Sequence, residues 1–387
     1  MIESKLTRKI YSAIAGFALL SALSCRKTET PPAPETGNTR IGVLVDLSGP
    51  TSAVGQSVKA AVEFARDEIN QAGGINGRQL EIVLADDKGA PEQAAGAVTN
   101  LTTQNNVHVL LGECSRGICL AAASKAQVTQ IPMIALSSSD AKVTQQGNYI
   151  FNIAQLDSVQ GKQMGAYAAN NLKAKTAAVV YEEGSDYGAG LAQAFADEFG
   201  KFGGQVASRQ TYNAASQNFN ELLTAVRGVN PDVIYIPARS NSTVMLAKEA
   251  KQIGLKSVLL GADGWNNPAL LSAAGSAFDG AYITSQYSAD DPSQEGRAFS
   301  SAYQRRFGKS PDQAAALAYD AVKLIADALK RAGSSDRNKL RDALAQTAKF
   351  AGRSGTITID ADRNAARPAI IFKLQDGKVY PVYKEEP

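Results

Sequence analysis

An α/β chain built as two Rossmann-like parallel-sheet domains is predicted by three observations. Short apolar runs ending in Asp, Ser or Gly alternate with amphipathic helical patterns, the alternation that builds parallel sheets with helices on both faces. The alternation falls into two series, one over about 40–156 and one over about 157–286. A length of 387 residues exceeds what one core usually organises and suits two domains of ordinary size.

The first unit sets the type. RIGVLVDLSGP (40–50) is an apolar run closed by Asp, Ser, Gly and Pro, a buried strand followed by a turn. The next segment places Val58, Val62, Ala65 and Ile69 on one helical face, and Gly73-Gly74 ends that helix. QLEIVLADD then leads to a helix opened by Pro91, VHVLLGECS leads to GICLAAASKAQ, and IPMIALSSS follows. In the second series TAAVVYEEGSDYG, DVIYIPARSNS and SVLLGADGWNN each precede a helical pattern. Residues 287–355 read as mostly helical, and the strands GTITID, AIIFKL and KVYPVY close the sequence.

Composition is that of a folded globular protein, with 44% hydrophobic and 20% charged residues. Glu3, Lys5, Arg8 and Lys9 together supply two of the three net positive charges. The remainder therefore carries no basic footprint for nucleic acid.

The N-terminus reads as an address. A basic start precedes an uncharged stretch from Ile10 to Ser24, short for a membrane span of roughly 20 residues and suited to a signal-peptide core over 1–24. Cys25 directly after it resembles the lipobox of bacterial lipoproteins, whose cysteine is acylated; Ala22 stands where leucine is commoner, and simple secretion is the alternative. The Pro-rich stretch that follows, within 25–39, reads as a solvated tether.

Several chemistries are disfavoured. The single histidine, His108, lies inside the strand run VHVLL, where a nucleophile–histidine pair would be hard to assemble. GECSRG lacks the spacing of a nucleophile elbow. The glycines of YGAGLAQA follow EEGSD where a dinucleotide loop needs a tight turn. No cofactor and no metal is expected, and Asp86-Asp87 and Asp290-Asp291 read as solvated turn acids. Cys114 and Cys119 form an even pair once Cys25 is lipidated. In one regular helix their α-carbons would stand about 8 Å apart, too far to bond. A disulfide therefore requires Cys114 to lie in the loop before the helix; two small buried thiols are the alternative.

In open parallel sheets, ligands bind outside the carboxyl ends of the strands. Those ends read DLSGP, GECSR, SSSD, SDYG, ARSN and ADGW. Hydroxyls and helix N-terminal amides suit a carboxylate, and Asp263 suits an ammonium group, the pairing for a zwitterion.

From Arg40 to Tyr383 the chain resembles the substrate-binding proteins of branched-chain amino acid ABC transporters, which have the type I periplasmic binding fold. IGVLVDLSGPTSAVGQ, AAVEFARDEINQAGGINGRQLEIVLADD, FNIAQLDSVQG, SDYGAG and ALAYDAVKLIADAL carry the likeness. The resemblance implies two lobes joined by three crossovers, closing on a ligand that is delivered to a membrane permease. The expected division is 40–156 plus 287–355 for the first lobe and 157–286 plus 356–387 for the second. The resemblance also places ligand contacts at Ser115 and Arg116, at Ser137, Ser138 and Ser139, at Tyr187, and at Asp263 as the ammonium-binding acid. It implies a monomeric, non-enzymatic binder in the periplasm or cell envelope, taking an amino acid or a related small carboxylate. A ligand-sensing receptor module is the alternative.

Two features depart from leucine-type members. Val54 replaces an aromatic, and Arg239 stands where they carry tyrosine. Arg116 and Arg239, one in each domain, would favour a ligand with an additional anionic group; the other reading is that they bond to neighbouring acids. Trp265 is expected either to stack on a ligand or to cap the cleft.

Overall fold

The computed structural model describes residues 37–385 apart from 115, 139 and 292. The signal segment, Cys25 and the tether up to residue 36 lie outside the described residues, as do Ser115 and Ser139; the side chain of Arg116 is likewise not described.

The first sheet holds β1 (Thr39–Val45), β2 (Leu80–Asp86), β3 (Val109–Glu113), β4 (Met133–Ala135) and β5 (Ile150–Asn152), ordered β2-β1-β3-β4-β5. All its pairings are parallel, with Ile41 opposite Ile82 on one side and Val109 on the other. The second sheet contains β6 (Thr176–Glu182), β7 (Gln205–Tyr212), β8 (Val233–Tyr235), β9 (Val258–Gly261), β10 (Tyr282–Thr284), β14 (Ala369–Gln375) and β15 (Lys378–Glu385). Its order is β15-β14-β10-β9-β8-β6-β7, with antiparallel pairing only at the β10–β14 and β14–β15 junctions.

Each sheet buries the apolar runs that predicted it. Ile41, Val43 and Val45 meet Val58, Val62 and Ile69 of the helix Ser52–Gln71 and Leu324, Ile325 and Leu329 of the helix Gln313–Ala332. On the second sheet Ile234, Ile236 and Ile283 meet Leu246, Leu270 and Phe278. Burying one such side chain contributes about 1.5–3 kcal/mol. The helices Asp157–Asn170 and Asp186–Lys201 approach closely because Gly161 and Gly165 face the partner backbone. A methyl group at Gly165 would lie 2.7 Å from the Phe195 carbonyl oxygen.

The chain passes between the lobes three times, after β5, after β10 and before β14. Residues 356–366 depart from the expected division. β12 (Gly355–Ile359) pairs with β11 (Phe350–Gly352) and β13 (Ala365–Ala366), and Ile357, Ile359 and Ala365 are buried in the core of the first lobe. Asn152 of β5 bridges Asn364. Only from β14 onward does the C-terminal segment join the second sheet.

No helix among the described residues is long and apolar enough to cross a membrane.

Candidate functional site

On the second lobe, three of the expected residues form one cluster. Tyr187 stands in the first turn of the helix Asp186–Lys201, whose N-cap Ser185 accepts the Gly188 amide. Arg239 follows β8, and Asp263 opens the short turn Asp263–Trp265 after β9. The Tyr187 hydroxyl donates to Asp263 Oδ1 at 2.6 Å. The Arg239 guanidinium lies 3.7 Å from the Tyr187 ring centroid and 3.6 Å from Asp263 Oδ1. Burial and the adjacent Asp263 charge push the Tyr187 hydroxyl well above its ordinary pKa, so it remains a donor.

Arg239 is 46% exposed at its side chain, against 10% for Asp263. The acid expected to receive an ammonium group therefore already faces a guanidinium at 3.6 Å.

The first lobe presents Glu113, Ser137 and Ser138. Glu113 ends β3, and Ser137 and the Arg239 charge act on its carboxyl. Burial pushes its carboxyl up to about 7, and its Oε2 is buried with no partner among the described residues. Ser137 Oγ also donates to the Cys114 carbonyl at 3.3 Å. Ser138 is 4% exposed and Gln155 is 2% exposed; Ser138 Oγ and Gln155 Nε2 likewise lack partners. Gln313 Nε2, at the start of a first-lobe helix, lies 3.5 Å from Asp263 Oδ2 across the gap.

Cys114 lies in the loop before the helix Arg116–Val128, and its sulfur is bonded to that of Cys119, with the α-carbons 5.2 Å apart. The bond links two cysteines five residues apart in the sequence.

Two other residues lie away from the cleft. His108 Nδ1 accepts the Arg40 amide at 3.0 Å, at the amino ends of β1 and β3. Trp265 neither stacks on the cleft nor caps it: it is fully buried, lies 4.4 Å from Phe278 ring to ring, and donates to the Ile236 carbonyl at 2.9 Å. The indole fills second-lobe core.

Sequence reasoning missed Glu113, Gln155 and Gln313. Glu113 carried a usable signal, its place at the carboxyl end of a buried strand. Gln313 carried none, because the second pass of the chain brings it to the cleft from 50 residues beyond Asp263.

Two α/β lobes joined by three crossovers, with hydroxyl, carboxylate and guanidinium groups facing across the gap, define a two-lobed solute-binding protein. The model of the periplasmic binding protein family matches residues 38–378, and the chain belongs to that family. The leucine-, isoleucine-, valine-, threonine-, and alanine-binding protein of Pseudomonas aeruginosa is 30% identical over 335 residues, covering 86% of this chain and 85% of that protein. A leucine-binding protein from Thermotoga maritima superposes with a TM-score of 0.79 at 30% identity, covering 90% of this chain and 99% of that one. The substrate-binding protein of a branched-chain amino acid transporter from Streptococcus pneumoniae, solved with isoleucine, gives 0.78 at 31% identity over 90% and 99%.

Proposed function

We propose that this chain is the extracytoplasmic solute-binding component of an ABC importer, anchored through lipid on Cys25, and that it captures an amino acid of the branched-chain or a related class. The observation that carries this reading is Asp263, held by the Tyr187 hydroxyl at 2.6 Å on the wall facing the serine-bearing end of β4. In this reading Asp263 takes the ligand ammonium. Ser137 and Ser138 take the carboxylate. The partnerless oxygen of Ser138 and amide of Gln155 gain partners when ligand binds, which supports an interior built for a polar molecule. The role makes and breaks no covalent bond, and the bound solute passes to a membrane permease.

A second reading, a small carboxylate without an ammonium group, is favoured by the Arg239–Asp263 approach at 3.6 Å. With Asp263 neutralised, the exposed side of the guanidinium is left to meet an anion.

A thermal-shift screen against neutral, acidic and aromatic amino acids and plain mono- and dicarboxylates separates the two. Ligand at a thousand times its Kd adds about 4 kcal/mol of stability. Stabilisation by neutral amino acids alone supports the zwitterion site. Stabilisation by simple carboxylates alone transfers recognition to Arg239 and removes Asp263 from its ammonium role.

A further inference from the structure

The ligand cleft does not use the acidic groups at the carboxyl ends of β1 and β2. Asp46 follows β1, Asp86 ends β2 and Asp87 follows it, and one carboxylate oxygen from each lies within 4.8 Å of the others. The expectation of solvated turn acids fails at Asp87, which is 0% exposed, while Asp86 is partly buried; Asp46, beside them, is 3% exposed.

Asp46 accepts hydrogen bonds from the Gly49 amide at 2.5 Å and from the Thr51 amide and hydroxyl at 2.8 Å. Asp86 accepts the Leu47 and Lys88 amides at 2.9 Å and the Ser48 hydroxyl at 2.6 Å. These donors outweigh burial and hold both acids below their ordinary pKa, so both are ionised. Asp87 differs: Oδ1 accepts the Gly89 amide at 2.9 Å, while Oδ2 is buried without a partner. Burial raises its pKa, and the charges of Asp46 and Asp86 add to the rise. The Lys88 ammonium acts on Asp86, but that side chain is exposed. A buried carboxylate with an unpartnered oxygen, set beside two ionised neighbours, is costly unless a positive charge joins it.

We propose that Asp46, Asp86 and Asp87 bind a divalent, oxygen-preferring cation, with Ca2+ the best-matched ion. The donor set is all oxygen, without thiol or imidazole, which suits Ca2+ or Mg2+ over zinc or copper. The Lys88 carbonyl is a further oxygen near Asp46. A methyl group at Gly49 would collide with it and would lie 2.8 Å from Asp46 Oδ1. Ca2+ bonds oxygens at about 2.3–2.6 Å and tolerates irregular geometry, so it holds three carboxylate oxygens lying within 4.8 Å of one another with little or no approach of the loops. Mg2+ at about 2.0–2.1 Å would require the loops to close further. The bound ion ties the turn after β1 to the turn after β2, at the edge of the sheet where Glu113 feels the charge of Asp87.

The test uses purified protein stripped with EDTA and returned to chelator-free buffer. Binding of 45Ca2+ is read by equilibrium dialysis, and Tm is followed against CaCl2, MgCl2 and NaCl of matched ionic strength. The expected result is one Ca2+ per chain with a Kd on the order of 10⁻⁴ to 10⁻³ M and a Tm higher by a few degrees at about 10 mM. Asp87→Asn keeps an acceptor for the Gly89 amide. It is expected to bind Ca2+ at least about tenfold more weakly, while its Tm in EDTA equals or exceeds that of the wild type. No Ca2+ bound by the wild type above the NaCl control overturns the site and leaves Asp87 as a buried protonated acid. Undiminished binding in Asp87→Asn overturns the assignment of residues. Because the first readout needs no variant, the proposal stays testable if Asp87→Asn fails to fold.

Discussion

Replacing Glu113 with Gln should remove a specific pH dependence of stability. Burial, with Asp312 and Asp87 adding and Ser137 and Arg239 opposing, moves this carboxyl from 4.5 to about 7. The folded protein therefore holds the Glu113 proton more tightly than the unfolded chain does. The resulting stability is complete below the unfolded value of 4.5 and is lost as pH rises through about 7. At about 1.4 kcal/mol per pH unit the ceiling is about 3 kcal/mol, and solvent entering the cleft lowers it.

Asp46, Glu81, Asp86 and Asp232 are shifted downward, so their contributions run the other way and are lost only on acidification. From about pH 5.5 to 8.5 those terms stay constant. Asp87 and Asp320 are raised like Glu113, so the difference between wild type and Glu113→Gln isolates the one group. Urea midpoints measured across that window should show the wild type losing up to about 2 kcal/mol relative to the variant as pH rises, the rest of the ceiling falling below pH 5.5. Parallel pH profiles would refute the burial argument and place the Glu113 carboxylate in water.

Other substitutions test the site and its support. Trp265→Ala should cost about 3–5 kcal/mol in urea melts and leave solute affinity nearly unchanged, because the indole packs on Phe278 and not on the cleft. Tyr187→Phe removes the donor at 2.6 Å from Asp263. If that carboxylate receives the ligand ammonium, affinity by calorimetry should fall about tenfold or more. Replacing Cys114 and Cys119 with Ser opens a short loop at a cost of about 2 kcal/mol, and solute affinity should fall more than Tm alone accounts for, since the loop carries residues 115 and 116.

The fold was legible because buried parallel strands write themselves as uninterrupted apolar runs. RIGVLVDLSGP and TAAVVYEEGSDYG predict β1 and β6 with the turns that follow them. The region 356–366 was not legible, because a short antiparallel strand reads the same on either lobe. Ile357 and Ile359 are apolar in both cases, and only the contact of Asn364 with Asn152 decides the matter. At the site, hydroxyls and aromatics at strand ends were legible by position. The partners of charges were not. Asp263 looks the same in sequence whether it awaits an ammonium group or faces Arg239, and Asp87 looks the same whether solvated or buried.

The crossovers explain how such a site can open. Buried polar groups there are hydrogen-bonded to one another and to the adjoining lobes. The Gln155 backbone N–H donates to Gln286 Oε1 at 2.8 Å, and Ser285 Oγ donates to Gln313 Oε1 at 2.7 Å. Arg367, 6% exposed, donates to the Ile153 carbonyl at 2.9 Å and to the Ser354 carbonyl at 2.8 Å. Breaking such buried bonds is expensive, because each would leave an unsatisfied group away from water. At the cleft itself, the bond from Gln313 to Asp263 stands at the 3.5 Å limit. A motion that separates the cleft walls while preserving the crossover network therefore forfeits little. The difference between a tightly bonded hinge and weakly bonded walls leaves the balance between open and closed forms to the solute, which adds the contacts that the walls lack.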